Sequence, residues 1–413
     1  MNCCWNAEQH VAVAVSGGVD SMVLLDQVRT SGTFKTLSIV HVNHGLRAES
    51  AVEQQMIEHY VATYGIPCYT SQIPSGYFDA DKSIQQAARD YRYQFFDQVM
   101  TDQRLDVLLT AHHRGDQLET IAFRLLTRRF YMQPLGITDD KRSSYQLCRP
   151  LKDVSKSALR AYAETHAIPY MEDASNSSTK YARNAIRHEL LPTIDAIDQL
   201  SSDALIDFAD WHADVLELIA LNVLDFSRAV TETKRGYRWA REAFNQLNHL
   251  VKRALLVQLI ESSEHEPLAL SYLDEIIRVA ASDTVQVSFS VTSQWNIEIA
   301  YDKLMVHRVQ PLDDYLEIQS PGKYLFNDYE IELTSPTDQI IIVRLPQPHD
   351  KIKVGNHHQK VNRIMINDKV PDSERIRLPI VEIEGSIVAV GTLKRAHHPI
   401  HDILIIKGEE QHA

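Results

Sequence analysis

The chain has no apolar run long enough to cross a bilayer and no long, basic leader at its N-terminus. The expectation is a cytoplasmic protein with no membrane partner. Cysteine is scarce. Cys3, Cys4, Cys68 and Cys148 form neither a C-x-x-C pair nor a zinc spacing, so they are expected as reduced bystander thiols. Internal repeats and low-complexity tracts are missing. Positive charge is short, leaving a net charge of -13, which argues against a broad nucleic-acid surface. The shortage is uneven, however. Between residues 121 and 190 there are twelve Lys and Arg against seven Asp and Glu. A local basic face suited to RNA is one reading, and a solvated mixed surface is the other.

What is present starts with Val11-Ala-Val-Ala-Val-Ser-Gly-Gly-Val-Asp-Ser-Met-Val-Leu-Leu25. The apolar run to Val15 reads as a strand covered on both faces, and Met22, Val23 and Leu25 begin a helical face. Between them, Gly17 and Gly18 let the backbone approach a ligand. Ser16, Ser21 and the free N–H groups around Val19 suit a phosphate or pyrophosphate. Asp20 would repel that phosphate unless a cation lies between them. The string lacks the lysine of G-x-x-x-x-G-K-[ST] and the pattern G-x-G-x-x-G. S-G-G-V-D-S resembles the pyrophosphate loop of the N-type ATP pyrophosphatases, which adenylate a substrate oxygen.

At 413 residues the chain should hold two or three domains. Strand-like and helix-like segments alternate through the first part, with further strands at Thr36–Val42, Pro67–Ile73 and Asp106–Thr110. Helical patterns cover Glu49–Tyr64, Ser83–Met100 and Asp116–Leu126. This predicts a parallel α/β sheet over residues 1–200, with ligands bound where strand order reverses. Asn43-His44 and Ala111-His112-His113 also follow strands and should reach the same crevice. Residues 201–310 read as mainly helical from Asp203 to about Ala281, then alternating from Val285. Residues 311–413 read as a small α+β unit.

His112, Asp116 and Glu119 stand at i, i+4 and i+7, on one face if a helix begins near His112. Two carboxylates and an imidazole beside a phosphate loop suggest Mg²⁺ and acid–base chemistry, with Asp20, Asp116 and Glu119 as metal ligands. The alternative makes the histidines polar strand-end residues and Asp116 a helix cap.

H-H-x-x-D-x-x-E-T, with S-G-G-V-D-S, resembles the tRNA(Ile)-lysidine synthase family. Val42-Asn-His-Gly-Leu-Arg47, Ser83–Tyr93, Arg149-Pro-Leu151, Glu172-Asp-Ala-Ser-Asn176 and Tyr181–His188 extend the likeness, as do Gly355–Lys360 and Val388–Gly391. The resemblance implies ATP and Mg²⁺, free L-lysine, and a tRNA(Ile) with a CAU anticodon whose wobble cytidine becomes lysidine. A homodimer is left open. His112, Asp116, Glu119 and Asp20 would be catalytic. Ser16, Gly17, Gly18, Val19, Asp20, Ser21, Asn43 and His44 would bind ATP. Arg89, Arg92, Arg183, Arg187, Lys360 and Arg375 would contact tRNA or phosphate, with helix-surface ion pairing as the alternative for the first four. Sulfur-transferring relatives need a cysteine set that is not apparent here. Two departures stand out: Gly115 replaces the family's usual first aspartate, and Thr127–Pro134 replaces a glycine-rich stretch.

Overall fold

The computed structural model describes residues 4–45, 49–74, 76–77, 84–172, 182–261 and 269–408. Arg47, Ser83, Asp173 to Asn176 and Tyr181, all part of the resemblance, lie outside the described residues. The chain divides into two compact units, Met1–Leu216 and Glu217–Ala413. Among the described residues no helix is long and apolar enough to cross a membrane.

In the first unit the strands are β1 (His10–Ala14), β2 (Thr36–Asn43), β3 (Cys68–Gln72), β4 (Val107–Leu109), β5 (Asp140–Lys141) and β6 (Gln146–Cys148). The helices are α1 (Val19–Ser31), α2 (Glu49–Thr63), α3 (Ile84–Asp102), α4 (Arg114–Leu126), α5 (Lys156–Thr165), α6 (Ala182–Ala185) and α7 (Leu191–Asp195), with a π-helical turn at Ile186–Leu190. The sheet order is β3-β2-β1-β4-β6-β5, parallel except for β5 against β6. Strand order therefore reverses between β1 and β4, as the alternation of elements predicts.

β1 and β4 are covered on both faces. Val11 and Val13 pack with Met22, Leu25 and Leu109 on one side, and Ala12 packs with Val40, Phe96 and Leu108 on the other. That sandwiching explains why these strands read as continuous apolar runs rather than alternation. Cys4 and Cys148 depart from the expectation of bystander thiols, because they are joined Sγ to Sγ. Local spacing cannot reveal a pair 144 residues apart. Nor is the N-terminus frayed at Trp5, which is buried and donates Nε1–H to the Thr33 carbonyl at 2.6 Å.

In the second unit a hairpin interrupts the expected helical stretch. Helix α8 (Ala204–Ser227), which begins before the division, is followed by β7 (Thr231–Thr233) and β8 (Gly236–Ala240). Then come α9 (Arg241–Gln246), α10 (His249–Glu261) and α11 (Leu270–Ala280). The hairpin exists because β8 pairs with a distant strand. With β9 (Gln286–Ser290), β10 (Trp295–Ala300) and β11 (Lys303–Arg308) it forms the antiparallel sheet β7-β8-β11-β10-β9. Trp239 buries itself between helices and sheet, against Phe226 and Phe244.

From Tyr315 onward three smaller antiparallel sheets and short helices follow, the α+β character expected. Their strands include a two-stranded ribbon, Lys351–Val354 paired with His357–Lys360.

Candidate active site

The nucleotide loop is built from its own hydrogen bonds. Gly17 adopts φ 89°, a left-handed conformation that costs glycine little. Its carbonyl accepts the Met171 N–H at 3.0 Å. Gly18 caps α1 in an extended conformation, and Ser21 Oγ donates to its carbonyl at 3.0 Å. Ser21 Oγ also accepts the Ser16 N–H at 3.1 Å and lies 3.2 Å from Ser16 Oγ. The loop is thus held in shape while the first N–H groups of α1, around Val19, remain at a helix N-terminus that favours anions.

A cavity of about 450 Å³ opens beyond this loop, lined by Ser16, Asp20 and Ser21 from the loop, by Asn43 and His44 from the end of β2, and by His112 from the end of β4. Asn43 also shapes its turn, accepting the Gly45 N–H and donating to Gln54 at 3.0 Å. A second cavity of about 650 Å³ adjoins it, carrying Arg89, Arg92, Arg124, Arg149 and Arg183 against Asp116, Glu119 and Asp140. Arg92, His112 and Asp116 line both. The reversal of strand order therefore brings an anion-binding loop and a basic pocket to a common wall.

The helical register differs from the expectation. α4 begins at Arg114, with His113 as its cap. His113 Nδ1 accepts the Gly115 N–H at 2.9 Å, and Asp116 accepts the His113 N–H at 3.0 Å. Asp116 thus has the capping duty weighed against a functional one, yet its other oxygen faces Arg187 at 2.5 Å. Because Nδ1 accepts, the proton of a neutral His113 ring sits on Nε2, which lies 3.9 Å from Asp20 and 3.8 Å from Asp116. His113, singled out only as a neighbour of His112, is the ring between the two aspartates.

His112 lies just before α4, with Nδ1 3.0 Å from Thr110 Oγ1. Burial above all lowers its basicity, to a pKa of about 4; Asp116 opposes this, while Arg149, Arg92 and Arg89 add to it. The ring is neutral at physiological pH, which suits a hydrogen-bonding role better than taking a proton from an alkylammonium.

Each expected acid meets a cation of the chain. Asp20 Oδ2 faces Lys156 Nζ at 2.5 Å. Glu119, buried, has Oε1 3.0 Å from Arg183 and Oε2 2.7 Å from Arg187. Glu119 thus has a guanidinium against each oxygen. Asp20 Oδ1 is buried with no hydrogen-bond partner among the described residues. Arg183 and Arg187 pair with the site's own carboxylates rather than with exposed surface acids.

Arg89 is exposed, 4.9 Å above the Tyr93 ring. In the second unit Lys360 is exposed. Arg375 is engaged internally: it donates to Val370 C=O at 2.8 Å and Tyr301 Oη at 2.7 Å and pairs with Asp372. That removes most of its capacity to grip a phosphate.

Sequence reasoning missed Lys156 and His41. Lys156 stands 136 residues from its partner. His41, on β2, is buried, lines the nucleotide cavity and has Nδ1 2.8 Å from the Val15 carbonyl. An imidazole inside an otherwise apolar strand was its only signal.

Comparison with known proteins agrees with this architecture. The family model of the PP-loop domain matches residues 2–194, and that of the TilS substrate C-terminal domain matches residues 341–399. A tRNA(Ile)-lysidine synthase of Staphylococcus aureus (strain COL) is 35% identical over 407 residues, 94% of each chain. One from Staphylococcus epidermidis (strain ATCC 12228) is 36% identical over 406 residues, again 94% of each. Another, from Staphylococcus aureus (strain MW2), is 34% identical over 425 residues, 98% of each. With such identity along nearly the whole of both chains, and a PP-loop whose serines and aspartate line a nucleotide-sized cavity, this chain belongs to the tRNA(Ile)-lysidine synthase family.

Proposed function

We propose that the chain joins free L-lysine to C2 of the wobble cytidine in the CAU anticodon of tRNA(Ile). ATP would first adenylate O2 of the cytosine and release pyrophosphate. The lysine ε-amine would then attack C2, and O2 would leave with AMP. The observation that carries this reading is the common wall of Arg92, His112 and Asp116 between a phosphate-loop cavity and an arginine-rich one. Adenylation needs the α-phosphate and the target oxygen brought together, and such positioning supplies much of the rate.

In this reading the N–H groups around Gly17, Gly18 and Val19, with Ser16 and Ser21, hold the departing pyrophosphate and offset charge building on it. Asn43 and His44 border the rest of the nucleotide. The partnerless buried Oδ1 of Asp20 fits a divalent ion, with Asp116 facing it across His113. Mg²⁺ held there would neutralise phosphate charge. Neutral His112 hydrogen-bonds the α-phosphate, and Glu119 fixes Arg183 and Arg187. The arginines receive the anticodon backbone once the cytidine is splayed out, the usual way a single-stranded loop is read.

The test is incubation with ATP, Mg²⁺, lysine and an unmodified CAU-anticodon transcript. AMP, pyrophosphate and lysine incorporation should appear together. Asp116→Asn keeps an oxygen for the α4 cap but loses the charge. It should slow adenylation by roughly 10²-fold or more while tRNA affinity changes little. Pyrophosphate release that ignores lysine and this tRNA, or a fully active Asp116→Asn, would remove the proposal.

A further inference from the structure

The region around Cys148 brings together three donor groups that the adenylation chemistry does not use. Cys148 Sγ is fully buried at the end of β6, and Cys4 Sγ reaches it from the N-terminal segment. A carboxylate oxygen of Asp139 lies with both sulfurs inside a sphere of ligand distances, all three atoms within 4.8 Å of one another. The other evidence is how firmly the three are set. Trp5, buried and bonded to Thr33, anchors Cys4 in place independently of the sulfur link. Asp139 Oδ1 accepts the Arg149 N–H at 2.8 Å, which orients the carboxylate. Cys148 is fixed by the sheet, its carbonyl accepting the Thr110 N–H at 3.0 Å. Neither cysteine lines either cavity of the active site, so this is not the catalytic cysteine set of a sulfur-transfer enzyme.

We propose that Cys4, Cys148 and Asp139, with the cysteines reduced, bind one soft divalent cation of the Zn²⁺ class. Once the disulfide is reduced, two thiolates and a carboxylate held at these positions from three separate segments would repel one another without a cation among them. Tetrahedral Zn²⁺ takes sulfur at about 2.3 Å and carboxylate oxygen at about 2.0 Å, so its donors stand within roughly 4 Å of each other. A water completes the set. Loading releases two protons as the thiols become thiolates. Opening the disulfide beforehand consumes a thiol or phosphine reductant, which takes up the oxidation. Because Asp139 holds the backbone N–H of Arg149, the ion braces one wall of the arginine-rich cavity.

The experiment uses the full chain, reduced with a phosphine, freed of reductant and titrated with Co²⁺ without oxygen. One Co²⁺ per chain should bind with a thiolate-to-cobalt charge-transfer band, and Zn²⁺ should erase it. Cys4→Ser and Cys148→Ser should each abolish the band, and Asp139→Asn should weaken binding at least about tenfold. Cys68→Ser, which removes the free thiol found among the described residues, should change nothing. No cobalt band in the reduced chain, a band that survives Cys4→Ser, or parental affinity in Asp139→Asn overturns the proposal. Cys4 lies close to the N-terminus, so its variant answers even if Cys148→Ser fails to fold.

Discussion

Gly115 stands where the resemblance implies an aspartate, and the structure gives its missing side chain a consequence. A Cβ built on Gly115 would stand 2.7 Å from His113 Cε1 and 3.1 Å from its Nδ1. The ring can cap α4 and lie between Asp20 and Asp116 only because residue 115 has no side chain. Gly115→Asp should turn the ring out and remove the cap. A lost cap of this kind costs about 1 kcal/mol. Urea unfolding should show that loss in Gly115→Asp and in His113→Ala. The double variant should lose little beyond either single one, since both remove the same hydrogen bond. Strictly additive losses would mean that glycine and ring are not coupled.

Elements are tied together behind the phosphate loop by a buried acid. Asp26 of α1 accepts Tyr60 Oη of α2 at 2.9 Å, Tyr162 Oη of α5 at 2.9 Å and the Arg29 guanidinium at 2.5 Å. Burial works to raise its pKa, but the three hydrogen bonds and the charge of Arg29 together hold it below the ordinary carboxylate value of 3.8. A depressed carboxylate contributes stability that is fully present above the unfolded pKa. That contribution is lost as pH falls through the folded one. Asp26→Asn should destabilise by about 2 kcal/mol at pH 7, since hydrogen bonds to a charged group are the strong ones. The gap from the parent should narrow below about pH 4. A gap that is the same at pH 7 and pH 3 would refute the network's ionic character.

None of this tie was visible beforehand, whereas α1 and α2, two of the three helices it joins, were. β1, β2 and β4 announced themselves because burial on both faces demands uninterrupted apolar residues. The start of α4 was misplaced because histidine is an uncommon cap, and the phosphate loop drew attention to His112 instead. The β7–β8 hairpin was read as helix because its reason for existing, the pairing with β11, lies some seventy residues on. Lys156, Asp26 and the Cys4–Cys148 pair share that cause. Each has a partner more than thirty residues away, and periodicity carries no record of such partners.

Over the whole molecule the balance of charge is the open physical question, since a chain of net charge -13 has to hold a polyanion. Attraction must then be local. The arginine-rich cavity is one candidate place, and the ribbon of residues 351–360 is another. There Lys351 stands opposite Lys360, and Lys353 opposite His358. All four are exposed, while Ile352 points the other way into the core. Like charges directly opposed on one face, as Lys351 and Lys360 are, destabilise a sheet. A face that keeps them suits an anion, and a tRNA backbone is the anion to test there. Each lysine that neutralises a phosphate releases counterions, so log affinity falls with log salt by about 0.7–0.9 per contact. Replacing Lys351, Lys353 and Lys360 together by alanine should flatten the salt slope of tRNA binding by about 2–3. Affinity should fall most at low salt and converge on the parent's at high salt. ATP binding should not move, because none of the three lines the nucleotide cavity. An unchanged slope would assign the ribbon no phosphate contacts and leave RNA attraction to the arginines around Asp116 and Glu119.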